Sequence, residues 1–110
     1  MLVRTDLSGP QIAVQATHAA IEVARNSLIP SHFDHPSVIL CGVDNKDKLQ
    51  KCLDHIRSIG IICKAFHEND LGNELTAFAT EPVSEEARRH FRKYQLVKSS
   101  QMAVLERGAA

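Results

Sequence analysis

The chain has 110 residues, which is the size of one compact domain. Apolar residues make up 44% of it and charged residues 24%, close to the averages of soluble globular domains, so wholesale disorder is excluded. Thirteen basic and thirteen acidic residues balance, which excludes a globally cationic nucleic-acid binder but permits a local basic patch. The longest apolar run, residues 38–41, is too short to cross a bilayer, and Arg4 and Asp6 come before an apolar signal-peptide segment could form. We therefore expect a cytoplasmic protein that makes no membrane contact.

The three cysteines, Cys41, Cys52 and Cys63, lie among apolar neighbours and form no CxxC pair. The sequence therefore offers neither a zinc knuckle nor a thioredoxin-type motif. We interpret the cysteines as small core residues of a protein in a reducing compartment. A catalytic thiol at Cys41 or Cys63 has no motif to support it.

The beginning of the chain predicts a short strand, Leu2 to Thr5, followed by a turn and a helix from Pro10 to about Asn26. One face of this helix is apolar and rich in alanine: Ile12, Ala13, Ala16, Ala19, Ala20 and Val23. The opposite face carries polar side chains at helical spacing, which is typical of a solvated surface: Gln11, Gln15, His18, Glu22 and Arg25.

The middle of the chain predicts a βαβ unit, which follows a loop with two prolines and two histidines. The continuous apolar run 37–43 is typical of a strand buried on both faces. Asp44 is expected to cap a helix over residues 45–59, and Gly60 to end it before a strand over residues 61–67. The predicted apolar stripe of this helix is Leu49, Cys52, Leu53 and Ile56. Because the joints are tight, we expect the two strands to be parallel with a right-handed crossover.

The last part predicts a turn, a strand and a helix. Turn formers at residues 68–73 precede the alternating strand 74–80, which we expect to run antiparallel to the strand before it. Ser84 is expected to cap a helix over residues 85–94, and residues 99–110 to form a frayed tail.

These elements predict one domain, residues 1–98, of the α/β class: a small three-layer sandwich with a mixed four-stranded sheet and helices on both faces. Ligands of such sheets usually bind outside the carboxyl ends of the parallel strands. Three polar groups are expected to meet there: Asp6 with residues 8–11, then Gln15 with His18, and the turn 68–72 with Thr76. A histidine, a carboxylate and a hydroxyl suffice for hydrolysis, although each is more often structural.

Four motifs carry a family resemblance. Residues 3–7 read VRTDL and residues 13–20 read AVQATHAA, while Asp70-Leu71-Gly72 forms a D-x-G turn and residues 76–82 form a T-x-x-x-x-x-P strand. This pattern resembles the type 2 peptidyl-tRNA hydrolases, and the resemblance extends from about residue 2 to residue 97. The first two motifs are fairly specific because three separated polar residues coincide.

The resemblance implies an esterase that cleaves the ester between a peptide and the 3′ ribose of tRNA without a metal or cofactor. This chemistry needs a base for the attacking water and donors for the oxyanion. The resemblance implies that Asp70 is the base or orients the water and that Thr76 donates its hydroxyl. Gln11 and Gln15 would be amide donors, with His18 positioning the site.

Two departures from the family pattern weaken this expectation. The family has a lysine four residues before the glutamine, where this chain has Gln11, and the segment between Asp70 and Thr76 is shorter here. Because charged hydrogen bonds are about twice as strong as neutral ones, we expect slow catalysis or a changed substrate unless Lys64 or Lys98 replaces the missing cation. The alternative is a non-catalytic binding module of the same fold that holds an RNA end, a small ligand or a protein partner.

Binding tRNA or peptidyl-tRNA requires cationic surface. The predicted substrate-binding residues are Arg4 and Asp6 at the first strand, and Arg88, Arg89, Arg92 and Lys93 on the last helix. The competing interpretation of that helix is a solvated face on which Glu85 pairs with Arg89.

Metal binding and self-association are the remaining questions. His32 and His35 lie in one loop, but a metal site needs three or four converging ligands, so we predict no metal. Small mixed-sheet domains often pair along an edge strand or a helix face, which makes a homodimer the expected assembly.

Overall fold

The computed structural model describes residues 1–103. Its helices and strands are β1 (Leu2–Arg4), α1 (Gly9–Arg25), β2 (Cys41–Val43), α2 (Lys46–Ser58), β3 (Cys63–Glu68), β4 (Glu74–Thr80), β5 (Gln95–Leu96) and α3 (Ser99–Met102). Two 3₁₀ helices, Asn69–Leu71 and Ala87–Phe91, precede β4 and β5. No helix among these residues is long and apolar enough to cross a membrane.

A mixed sheet of five strands in the order β3-β4-β1-β2-β5 forms the centre of the molecule. β1 and β2 are parallel, whereas β4 is antiparallel to both of its neighbours and β5 is antiparallel to β2. The α/β class, the mixed sheet and the antiparallel β3–β4 pair are confirmed. The predicted number of four strands is wrong, because Gln95 and Leu96 pair with Gly42 and Cys41 as a fifth strand.

The predicted βαβ unit is wrong in its pairing. β2 and β3 run in the same direction, but β1 and β4 lie between them. The adjacent parallel pair is β1 and β2, connected through α1. The first strand of the predicted unit, β2, is also shorter than the predicted residues 37–43. Val38 and Ile39 lie before it and are exposed instead of buried on both faces. An apolar run predicts a strand, but it does not predict which strand will lie beside it.

The strands alternate their side chains between two apolar clusters, one with each long helix. Leu2 and Phe78 pack with the apolar stripe of α2, which is Leu49, Leu53 and Ile56. Val3 and Ala77 pack with the apolar stripe of α1, which includes Ile12, Ala19 and Val23. Both predicted stripes are therefore confirmed, apart from the exposed Ala13 and the half-buried Ala20 and Cys52.

Local capping sets the starts of the two long helices. Ser8 caps α1, where its Oγ accepts a hydrogen bond from the Gln11 N–H at 3.3 Å. Asn45 caps α2, where its Oδ1 accepts from the Lys48 N–H at 3.0 Å. The predicted cap of α2, Asp44, is wrong: its carboxylate pairs instead with the Lys48 ammonium at 2.6 Å. Asn and Asp are similarly good caps, so the sequence alone does not separate these neighbours.

The predicted last helix is replaced by the 3₁₀ helix Ala87–Phe91. Ser84 is not its N-cap: Glu86 precedes the helix without a side-chain cap, although Ser84 Oγ accepts a hydrogen bond from the Ala87 N–H at 3.1 Å. Glu85 pairs with Arg88 at 3.4 Å, not with Arg89 as predicted. Residues three and four positions apart are both neighbours on a helical turn, so the sequence alone does not choose between Arg88 and Arg89 as the partner of Glu85.

The predicted tail begins with the short helix α3, which packs against the start of α1. A Cβ placed on Gly9 would lie 2.3 Å from the Met102 carbonyl oxygen, so only glycine permits this approach. The Met102 side chain packs against the α1 cluster. The rest of the predicted tail, residues 104–110, lies outside the described residues.

We expect Gly9→Ala to lower the free energy of unfolding by about 1–3 kcal/mol, the usual cost of forcing an extra methyl group into a packed site. The direction of this change is informative because replacing glycine by alanine normally stabilises a helix. Urea denaturation of the two chains measures the difference. In a chain that ends at Gln101 the same substitution should cost much less, and an equal cost in both backgrounds would contradict the contact with Met102.

Candidate functional site

Polar side chains gather at the edge of the sheet where β1, β2 and β3 end and β4 begins. Arg4 ends β1, Glu68 ends β3 and Glu74 begins β4. α1 and α2 also start at this edge, because they follow β1 and β2 directly. This is the carboxyl edge of the parallel strands, where the sequence predicts a site.

Gln15 is the centre of a buried hydrogen-bond network. Its side chain is fully buried under α1. Nε2 donates to Gln11 Oε1 at 3.1 Å and to Glu68 Oε1 at 2.9 Å, and Oε1 accepts from Thr76 Oγ1 at 2.7 Å. The interpretation of the polar face of α1 as a solvated surface is therefore wrong at Gln15.

A β-bulge in β4 aims Thr76 at Gln15. Phe66 pairs with Ala77 and His67 pairs with Leu75, so Thr76 is the extra residue between them. Regular alternation would place Thr76 and Ala77 on opposite faces, but both point towards α1. Bulges commonly turn a side chain in this way. The alternation that predicts β4 therefore misplaces Thr76.

Glu68 fixes the direction of the hydrogen bonds in this network. The amide of Gln15 lowers the pKa of Glu68, and the nearby His18 adds to this effect, so the carboxylate is ionised at neutral pH and can only accept. Gln15 must then face its amide nitrogen towards Glu68 and its oxygen towards Thr76. The single hydroxyl hydrogen of Thr76 is shared between Gln15 and, at 3.3 Å, the Phe66 carbonyl. In this arrangement neither Gln15 nor Thr76 has a hydrogen left for an oxyanion.

His18 lies beside the network on the same face of α1. Its ring stacks on Phe66, with the centroids 4.3 Å apart and an angle of 10° between the planes. The ring is half-buried, and stacking fixes it by its face while the edge that carries both nitrogens stays available to other partners. His18 is therefore held close to Glu68 in a defined orientation.

Asp70 lies apart from the network. It belongs to the exposed 3₁₀ helix Asn69–Leu71, which ends at Gly72 with a φ of 66°. The carboxylate that contacts Gln15 is Glu68, two residues earlier. The sequence predicts that the turn containing Glu68 faces the site, but the family resemblance implies the catalytic role for Asp70. Strand alternation would identify Glu68, because it puts Glu68 on the same face of β3 as Phe66.

Arg4 is buried between two carboxylates. Its Nε and Nη2 donate to Asp6, both at 2.9 Å, and its Nη1 donates to Glu74 at 2.7 Å and to the Leu75 carbonyl at 3.3 Å. These hydrogen bonds, those with Asp6 first, raise the pKa of Arg4, and they lower the pKa of Asp6 and of Glu74. Lys46 lies 3.9 Å from Glu74. Because Arg4 is already neutralised, it is not free to bind phosphate, and Asp6 is its ion-pair partner.

The predicted basic patch lies at the other end of the sheet. Arg88 and Arg92 line a cavity together with Thr80, the last residue of β4, which is about 13 Å along the strand from Thr76. The Lys93 ammonium lies 5.4 Å from the centre of the Tyr94 ring. The structure therefore does not bring these predicted cations to the Gln15 network. They are Arg88, Arg89, Arg92 and Lys93.

The remaining candidates for chemistry are the cysteines and two histidines. Burial raises the pKa of Cys41 and raises that of Cys63 to about 11, so both thiols are protonated at neutral pH and are weak nucleophiles. His32 packs on Phe33, with ring centroids 4.7 Å apart. Residues 1–103 contain no group of three or more His, Cys, Asp or Glu side chains placed to hold a metal ion.

The arrangement suits water activation beside a rigid support. His18 and Asp70 are the groups able to take a proton, while the network of Gln15 holds the surrounding elements in place. The cations described at this edge each face a carboxylate: Arg4, Lys46 and Lys48.

No protein-family model matches the chain, and no curated protein matches it either. Function must therefore be inferred from this geometry and from the motifs.

We expect Thr76→Val to lower the free energy of unfolding by about 1–3 kcal/mol, because it leaves the buried Gln15 oxygen without a donor at nearly constant side-chain volume. Urea denaturation measures the loss. The matched control is Thr80→Val in the same strand, where the half-buried hydroxyl donates to the Glu81 carbonyl and water can replace it. A loss at Thr76 no larger than that at Thr80 would contradict the network.

The lowered pKa values of Asp6, Glu74 and Glu68 predict acid sensitivity. A carboxylate whose pKa is lowered by folding stabilises the protein above its unfolded value, here 3.8 for Asp and 4.5 for Glu, and loses that contribution as the pH falls through the folded pKa. We expect the Tm to be steady near neutral pH and to fall progressively below about pH 5.

Asp6→Asn tests the Arg4 contact within this pH series. The variant should be less stable at pH 7 and should show a shallower fall in Tm on acidification, because one of the titrating partners of Arg4 is gone. Asp34→Asn in the exposed loop is the control. Parallel Tm curves for Asp6→Asn and the parent chain would show that this ion pair does not contribute.

Proposed function

We propose that the chain is a peptidyl-tRNA hydrolase-like esterase that cleaves the ester between a peptide and the 3′ ribose of tRNA. The main support is the hydrogen bond between Gln15 and Thr76, which are 61 residues apart and belong to two different motifs of the family pattern. A third motif contributes Asp70, which follows Glu68 in the turn next to this bond. Motifs that are distant in sequence thus meet at one edge of the sheet.

The proposed roles follow from which groups have free positions. Asp70 or His18 takes the proton of the attacking water, since neither side chain is held by the hydrogen bonds of Gln15: Asp70 lies in the exposed turn after Glu68, and His18 stacks on Phe66. The exposed amide of Gln11 offers a hydrogen bond to the oxyanion, because only its oxygen is engaged by Gln15. Gln15 and Thr76 position these groups instead of donating to the substrate. With the local cations paired to carboxylates, we expect turnover to be slow.

The second candidate is a binding module of the same fold. It is favoured by the internal saturation of the network, in which Gln15 and Thr76 bond each other and Arg4 is neutralised by Asp6 and Glu74. Such a site holds its shape but offers little stabilisation to a developing negative charge. This candidate predicts ligand binding without turnover.

The same proposal includes a three-layer sandwich, a cytoplasmic location and a homodimer. The packing of α1 and α2 in separate clusters supports the layers. The position of β3 at one edge of the sheet gives a second copy a strand to pair with.

The activity test is release of the acetylated amino acid from N-acetyl-aminoacyl-tRNA by the purified chain. We expect release above the tRNA-only blank, and we expect Asp70→Ala or His18→Ala to reduce it by about a hundredfold if that residue is the base. Asp34→Ala and His55→Ala, at exposed positions outside the network, are the matched controls and should leave the rate unchanged.

The result that would overturn the proposal is no release from a chain whose circular dichroism spectrum shows a folded α/β protein. Binding of the same tRNA, measured by filter retention, would then favour the binding module. Release that both site variants retain in full would place the base elsewhere.

A further inference from the structure

A cavity of about 630 Å³ lies at the end of the sheet opposite to the Gln15 network. Its floor is formed by the ends of three strands, at Leu2, Cys41 and Ala79. One wall is the loop between α1 and β2, and the other is the segment that runs from the end of β4 to β5. The volume falls within the range of about 300–1,000 Å³ that is typical of small-molecule sites.

The cavity collects much of the apolar surface that the described residues leave exposed. Four large apolar side chains line it and remain exposed by 71% at Val38, 62% at Leu96, 50% at Ile39 and 42% at Phe33. Single exposed apolar residues are ordinary on a protein surface, but a cluster around one concavity indicates a ligand or partner.

Two arginines and two glutamates line the cavity: Arg88, Arg92, Glu81 and Glu85. Arg88 and Arg92 line the wall formed by the second 3₁₀ helix. Glu85 pairs with Arg88 at 3.4 Å, and Glu81 accepts a hydrogen bond from the Ile62 N–H at 2.9 Å. Arg92 is exposed and pairs with no carboxylate among residues 1–103. Arg92 is therefore the guanidinium of the cavity that makes no ion pair among the described residues, while the Glu81 carboxylate is held by a backbone N–H instead.

We infer that this cavity binds a small amphipathic carboxylate, namely a medium-chain fatty acid. The alkyl chain packs against Phe33, Ile39 and Leu96, and the carboxylate pairs with Arg92. The planar fork of an arginine suits a carboxylate because it can donate two parallel hydrogen bonds. A polyanion fits less well, because the cavity beside Arg92 is lined mainly by apolar side chains. The inference is independent of the proposed hydrolase activity, which depends on the other end of the sheet.

The test is a titration of the full chain with decanoate below its micellar concentration, followed by ¹H–¹⁵N chemical-shift spectra. We expect saturable shifts confined to the cavity walls, in residues 29–41 and 80–96. Dodecanoate should bind more tightly, by up to about fourfold for each added methylene, because each buried methylene contributes to affinity. Decanol, which has no charge, should bind more weakly than decanoate.

Two variants at exposed positions examine the charge without disturbing the core. Arg92→Gln should weaken decanoate binding by about three- to tenfold and leave decanol binding unchanged. Val38→Asp should also weaken decanoate binding, because it places a like charge at the rim. Arg25→Gln, at the exposed end of α1, is the matched control and should have no effect.

Several results would overturn the inference. These are an absence of saturable shifts, shifts centred on the exposed α1 residues Val14 and Ile21, equal affinity for decanol and decanoate, or no effect of Arg92→Gln.

Discussion

The ion pairs of Arg4 are the contact on which the sheet edge depends. The guanidinium lies at the end of the central strand β1 and binds Asp6 in the following turn and Glu74 at the start of β4. A buried charge is costly unless its donors are satisfied, and here two carboxylates and the Leu75 carbonyl satisfy them. The start of β4 is thereby fixed against β1, only two residues before Thr76.

This constraint also decides the electrostatics of the candidate site. The bulge at Thr76 and the ionised Glu68 orient Gln15, while Asp6 and Glu74 neutralise Arg4 at the same edge of the sheet. The result is a polar site in which Arg4 is paired with carboxylates and the ionised Glu68 is held by the Gln15 amide. The opposite end of the sheet differs in both respects, because its cavity is lined by exposed apolar side chains and by the unpaired Arg92. One small fold thus offers two chemically distinct surfaces.

The sequence predicted part of the site and missed the rest for identifiable reasons. It brought Gln15, Thr76 and the turn after β3 to one edge, because strand ends and helix starts can be located from local patterns. It did not predict that Glu68 would contact Gln15, nor that Arg4 would be buried. Both depend on contacts between segments more than fifty residues apart, and a local pattern contains no information about such partners.

The sequence by itself determined the elements whose signals are local. The apolar stripes of α1 and α2, the stop at Gly60 and the extent of β4 follow from side-chain periodicity and from backbone hydrogen bonding within a few residues. Only the tertiary structure decided the strand order, the fifth strand, the bulge at Thr76 and the burial of Gln15. The physical reason is that strand neighbours and buried polar contacts are chosen by the burial and hydrogen bonding of the whole chain, in which distant segments compete for the same partners.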